Sequence, residues 1–242
     1  MSFAGWGVVV TGAGRGMGAE AARRFAREGA RVVVSDLDMQ AATEVAGSIG
    51  RLACAALVEQ AERFFGGPID VFLANAGLSF AGDFLQADPE QLRRVVDVNV
   101  TGSIFSAQAG LRSLVRSPRA SLIFTSSISG VTGRAQRSVY NASKHAIGGL
   151  VKALALEFGP RGVRVNAIAP GPTNTEFLRA HLAKVEGDVD AAVDRLVQGL
   201  PLGRLVEPSD FADAAVYLAS PAARAITGHT MMLDCGSSAG RM

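Results

Sequence analysis

Cysteine and histidine are scarce: Cys54 and Cys235 are the only thiols, and His145, His181 and His229 the only imidazoles, among 242 residues. None of the five falls at a metal-ligand spacing, and two isolated cysteines read as reduced thiols rather than a disulfide framework or a zinc site. No metal is expected. No apolar run approaches the roughly 20 residues a bilayer span needs. Met1 to Gly7 is shorter than an export leader before strand-like Val8-Val9-Val10 begins, so a cytoplasmic address without a membrane partner is expected. A dominant charge is missing too: 24 basic against 22 acidic residues leave a net +2, too balanced to imply a nucleic-acid partner.

What is present is a hydrophobic content of 48% with charged residues at 19%, the composition of a globular protein. The length suits one domain spanning residues 1–242. Along the chain a short apolar run, a glycine or polar turn and an amphipathic helix repeat, which predicts an α/β fold of the Rossmann-like, doubly wound type. Its mostly parallel sheet has seven expected strands: Gly7 to Thr11, Arg31 to Asp36, Arg51 to Ala55, Asp70 to Ala74, Ser121 to Ser126, Val163 to Ala169 and His229 to Leu233. Their unbroken Val/Ile/Leu/Phe character fits strands with helices on both faces. Helices are expected over Arg15 to Glu28, Leu57 to Phe65, Gln91 to Leu114, Tyr140 to Phe158 and Pro208 to Ala219. Between Pro170 and Pro201, at about 172–200, a mobile and partly helical flap is expected.

One stretch is too short. Leu37 to Ile69 offers 33 residues for a helix, a strand, a second helix and their turns, which need about 39. Either a genuine deletion trims the strand and a helix end, or the sequence closes over a missing segment near residues 54–58. The second reading is preferred because a parallel crossover tolerates little trimming.

Thr11-Gly12-Ala13-Gly14-Arg15-Gly16-Met17-Gly18 follows the first strand and opens a helix. Glycines there let the backbone turn tightly against a diphosphate, and free N–H groups at the helix start supply donors. Asp36 lies 18 residues beyond Gly18 at the end of the second strand. Its carboxylate suits both hydroxyls of an adenosine ribose and repels a 2′-phosphate, which favours NAD over NADP. Arg15 argues mildly for NADP, unless it is a solvated first-turn residue.

Tyr140 and Lys144 are four residues apart in a helical pattern and so share one face. A phenol is a weak base at neutral pH; a neighbouring ammonium favours the phenolate, making the pair a plausible proton-transfer device.

Taken together these motifs make the chain resemble a short-chain dehydrogenase/reductase of the classical type, from Thr11 to Asp234. The cofactor turn is Thr11-Gly12-x-x-x-Gly16-x-Gly18, with Arg15 and Met17 inside it; Asn75-Ala76-Gly77 is similar to the fourth-strand motif. Tyr140-x-x-x-Lys144 resembles the active-site pair, Ser127 precedes Tyr140 by 13 residues as the family's catalytic serine does, and Asn99 matches the catalytic asparagine. Pro170-Gly171-Pro172, with Thr173 and Thr175, resembles the segment that closes over nicotinamide.

The resemblance implies hydride transfer between NAD(H) and a secondary alcohol or ketone. Tyr140 would be the general acid/base and Ser127 would orient the substrate oxygen. Lys144 would bind the nicotinamide ribose and lower the tyrosine pKa, and Asn99, through its main chain and a water, would relay protons. It also implies a homotetramer. Two departures stand out: Ala74 replaces the asparagine that often precedes Asn75, and no acidic residue after Arg51 to Ala55 takes the adenine-contacting position before Glu59.

The alternative is an NADPH-dependent 3-ketoacyl thioester reductase, with Arg134 and Arg137 meeting a carrier-protein phosphate; a nucleotide-sensing module without catalysis is disfavoured by the intact serine, tyrosine, lysine and asparagine. Ser126 is expected at a strand end and Ser129 in the pocket wall. Phe177, Leu178, Leu182 and Val185 either line a hydrophobic pocket or pack the flap, packing being the expectation.

Overall fold

The computed structural model describes residues 1–49, 57–185 and 188–240. In chain order the elements begin β1 (Gly7–Thr11), α1 (Gly16–Arg27), β2 (Arg31–Ser35), α2 (Met39–Ile49), α3 (Leu57–Phe65), β3 (Val71–Ala74) and α4 (Pro89–Val96). After these come α5 (Gly102–Leu114), β4 (Ser121–Thr125), α6 (Ser138–Phe158) and β5 (Arg164–Pro170). The chain closes with α7 (Glu176–Val185), α8 (Val189–Gln198), α9 (Pro208–Ala219) and β6 (Thr230–Leu233).

Among the described residues the sheet has six strands, all parallel, in the order β2-β1-β3-β4-β5-β6. Six of the seven expected strands are present. The remaining expected strand, Arg51 to Ala55, and the expected break near 54–58 fall wholly or mainly on residues 50–56, outside the described residues.

Strand side chains alternate between two cores because successive residues face opposite sides of a pleated sheet. Val8, Val10, Leu73, Ile123 and Ile168 pack with Phe25 of α1 and Phe211 of α9. Val9, Phe72, Phe124, Val165 and Ala167 pack with Phe65 of α3, Leu111 of α5 and Val151 of α6. Both faces are thus covered, as the unbroken apolar strands predict. The flap segment contains two helices, α7 and α8, over a third cluster in which Leu178 and Leu196 meet Leu200, Leu205 and Cys235.

The expected single helix Gln91 to Leu114 is interrupted. Between α4 and α5 the chain widens into a π-turn at Asp97–Thr101, with Gly102 N–H bonded to the Asp97 carbonyl five residues back. A π-turn re-aims the residues it contains, and it carries Asn99.

Candidate functional site

The C-terminal ends of β1, β3, β4 and β5 open onto one cleft of about 1440 Å³, larger than the pocket of a drug-sized ligand. It sits where the chain leaves β1 for opposite directions in the sheet, the switch point at which α/β sheets bind ligands. β1 runs into its turn through Gly12, whose φ is +60°. A Cβ there would approach the Ala76 backbone to 2.7 Å, and one on Gly18 would collide with the Gly12 carbonyl. These contacts bring the turn hard against the end of β3. Asn75 ties the strand ends together: its Nδ2 donates to the Gly12 carbonyl at 2.9 Å, and its Oδ1 accepts from Thr125 Oγ1 at 2.9 Å.

α1 begins at Gly16 with no side-chain cap and no acidic residue in its first turn. Its leading N–H groups and positive end therefore face the cleft without a protein anion. The glycine cradle, the uncapped helix start and Asp36 fit a dinucleotide: the Asp36 carboxylate lines the same cleft and accepts from Gly14 N–H at 2.9 Å and Asp38 N–H at 3.0 Å. Arg15 is exposed, as the solvated first-turn reading expects, and its guanidinium pairs at the surface with Asp38 at 2.5 Å. Asp38 is held below the usual carboxylate range by the Ala41 N–H first, with Arg15 contributing. The sequence reading passed over Asp38, which carries no motif.

At the other end of the cleft, the first two turns of α6 present buried Tyr140 and Lys144. The Lys144 ammonium lies 5.9 Å from the centre of the Tyr140 ring and donates to the Thr125 carbonyl at 2.8 Å. Burial brings the Lys144 pKa down from 10.5 to about 8. Burial also pushes the Tyr140 phenol up, against the opposing pull of the Ser127 hydroxyl and the Arg137 guanidinium. In the free protein desolvation outweighs these two lowering influences, and both come from Ser127 and Arg137 rather than from the lysine.

Ser127 follows β4, caps a short 3₁₀ turn at Ile128–Gly130 and accepts from Ser129 N–H at 3.2 Å. A Cβ on Gly130 would stand 2.7 Å from the Lys144 carbonyl, so this glycine lets the serine turn seat on α6. Ser126 behaves as a strand-end residue, donating its N–H to the Ile168 carbonyl at 2.7 Å, and Ser129 lines the cleft.

Asn99 is set apart from the rest: it is buried and does not line the cleft. Its Oδ1 accepts from Leu78 N–H at 2.7 Å, and its Nδ2 donates to the Leu78 carbonyl at 2.8 Å and to Ser143 Oγ at 3.0 Å. The side chain thus braces the segment after β3 against α6. Every other expected site residue lines the cleft: Gly12, Arg15, Gly16, Met17, Gly18, Asp36, Asn75, Ala76, Gly77, Ser127, Tyr140, Lys144, Pro170, Gly171, Thr173 and Thr175. Phe177, Leu178 and Leu182 line it too, which corrects the expectation of packing alone, while Leu178 also packs into the flap cluster. The Val185 side chain lies outside the description.

A family model described as enoyl-(acyl carrier protein) reductase matches residues 12–238. The L-rhamnose 1-dehydrogenase (NAD(P)(+)) of Azotobacter vinelandii is 35% identical over 95% of each chain. The galactitol 2-dehydrogenase (L-tagatose-forming) of Cereibacter sphaeroides is 35% identical over 94% of this chain and 92% of its own. A crystal structure of a short-chain type dehydrogenase/reductase from Mycobacterium marinum superposes with a TM-score of 0.88 at 31% identity, covering 99% of this chain and 98% of the other. The chain belongs to the short-chain dehydrogenase/reductase family and is an oxidoreductase of the type that uses a nicotinamide cofactor. Among the described residues no helix is long and apolar enough to cross a membrane.

Proposed function

We propose that the protein is an NAD-dependent dehydrogenase that transfers a hydride between NAD(H) and a small secondary alcohol or ketone, with Tyr140 as general acid/base. The observation that carries this reading is the cleft itself: Tyr140, Lys144 and Ser127 stand at one end and Asp36 with the glycine turn at the other. Gly12, Arg15, Gly16, Met17 and Gly18 would hold the diphosphate, and Asp36 the adenosine ribose. Asn75, Ala76, Gly77, Pro170, Gly171, Thr173, Thr175, Tyr140 and Lys144 would hold the nicotinamide half, which supplies the hydride acceptor or donor.

The chain's own groups do the rest. In the oxidation direction Tyr140, as phenolate, takes the hydroxyl proton, and it returns it in reduction. Ser127 donates a hydrogen bond to the substrate oxygen and fixes its distance from the phenol. The Lys144 ammonium stabilises the phenolate, and Asn99 braces the proton path. The galactitol and rhamnose enzymes support an alcohol or sugar substrate. Residues 1–242 act in this reading as one unit with a substrate flap at about 172–200, and by family resemblance the protein is a cytoplasmic homotetramer.

A second reading, an NADPH-dependent 3-ketoacyl thioester reductase, is favoured by the acyl-carrier description of the matching family model. Following the absorbance of reduced nicotinamide with alcohols and ketones, in parallel with NAD(H) and NADP(H), separates the two. Preference for NADP(H) with thioesters replaces the first reading, and no turnover with any alcohol or ketone overturns both.

A further inference from the structure

Arg134 and Arg137 line the substrate end of the cleft without a carboxylate of their own. Arg137 is half-buried, its guanidinium 5.8 Å from the centre of the Tyr140 ring. Among the described residues neither guanidinium has a hydrogen-bond or ion-pair partner. Other arginines contrast with this: Arg15 meets Asp38, Arg116 meets Glu62, Arg179 meets Asp190 and Arg204 meets Asp210. Burial works against the charge of Arg137 and repulsion from Arg134 adds to it, offset only in part by Tyr140, so the net effect opposes the charge. A guanidinium does not release its proton in a protein, so this unfavourable energy persists until an anion arrives to relieve it.

The backbone that carries the pair is fixed in place. Gln136 adopts a left-handed φ of 60°, and its carbonyl accepts from Gly82 N–H at 3.0 Å. The Arg137 carbonyl accepts from Asn141 N–H at 2.7 Å. With its amide oriented to satisfy both ends, the Asn141 side chain accepts from Arg134 N–H at 2.7 Å. A left-handed non-glycine residue persists where its surroundings over-determine it. The backbone bearing both arginines is therefore tied to the start of α6 through Asn141, the residue after Tyr140.

We propose that Arg134 and Arg137 form an anion subsite, and that the secondary alcohol oxidised here carries a carboxylate a few bonds from the reacting carbon: a hydroxy acid or sugar acid, interconverted with its keto acid. The planar guanidinium fork matches a carboxylate. Proximity to the Tyr140 ring separates this ligand from a carrier-protein phosphate, which a long pantetheine arm holds away from the reacting carbonyl. The identity of the oxidised group rests on Tyr140 being the proton-transfer residue; the anion subsite itself does not.

The test compares 3-hydroxybutyrate with its methyl ester and gluconate with glucitol, by turnover with NAD and by calorimetric binding, in the wild type and in Arg134→Met and Arg137→Met. The expected result is an acid-over-neutral preference of about 10-fold or more, mainly through KM, that falls by a similar factor in either variant. Arg134 is exposed, so its variant reports even if Arg137→Met perturbs folding. Oxidation of the neutral partners alone overturns the anion subsite and leaves the dehydrogenase reading standing. Acids that bind and lose that binding in the variants, with neither the acids nor their neutral partners oxidised, support the subsite while overturning the dehydrogenase reading. A preference unchanged in both variants, or faster turnover of a carrier-protein-bound ketoacyl group than of any free acid, overturns the proposal.

Discussion

The Lys144 ammonium donates to the Thr125 carbonyl, at the last residue of β4, across 2.8 Å inside a buried pocket. That contact fixes the charged end of a side chain whose pKa burial has brought to about 8. An unfolded chain keeps this proton up to the ordinary value of 10.5, so between the two values the unfolded state binds more protons. The free enzyme therefore gains stability as pH rises through that window. Lys144→Met lacks the titrating group. The stability of the wild type relative to the variant, from urea unfolding at about pH 7 and about pH 10, should rise by on the order of 3 kcal/mol. A flat difference would show that the ammonium is not desolvated.

Tyr140→Phe keeps the ring and removes the phenol. Turnover of alcohols should fall by roughly 100- to 10,000-fold, while NAD affinity, read by calorimetry, changes little. Unchanged turnover refutes the proton path through this residue.

Asp36→Ser removes the carboxylate that accepts from Gly14 N–H and, with it, the repulsion against a ribose phosphate. The ratio of kcat/KM for NADP over NAD should rise by about 10-fold or more. No shift in that ratio would place Asp36 away from the ribose.

Gly12→Ala combines a left-handed φ with a Cβ 2.7 Å from the Ala76 backbone. Gly5 has a φ of +77° but open space around it, so Gly5→Ala isolates the backbone strain, about 1–3 kcal/mol in each variant. The quenching of reduced-cofactor fluorescence should show a loss of binding in Gly12→Ala beyond anything in Gly5→Ala. Equal binding in the two would mean the turn does not cradle the cofactor.

Much of the site was legible because its residues are close in sequence or their identities are chemically restrictive. The glycine turn needs a Cβ-free backbone at fixed offsets from β1, and Tyr140 and Lys144 meet because a helix brings residues four apart together. Gly130 and Ser143 gave no such signal: one permits close packing of the Ile128–Gly130 turn on α6, and the other bonds Asn99, relations across long sequence distances. Asn99 was identified by resemblance, but its brace on Leu78 depends on a π-turn that apolar periodicity does not reveal.

The doubly wound class, the place of the phosphate turn and the pairing of a tyrosine with a lysine are written in the order of residues alone, because local periodicity and glycine spacing encode them directly. Folding in three dimensions was needed to bring Arg15 to Asp38, to make burial outweigh charge at Tyr140, and to leave Arg134 and Arg137 without counter-ions among the described residues. Those outcomes turn on solvent exclusion and on distances between segments far apart in the chain, and electrostatic energy depends on both.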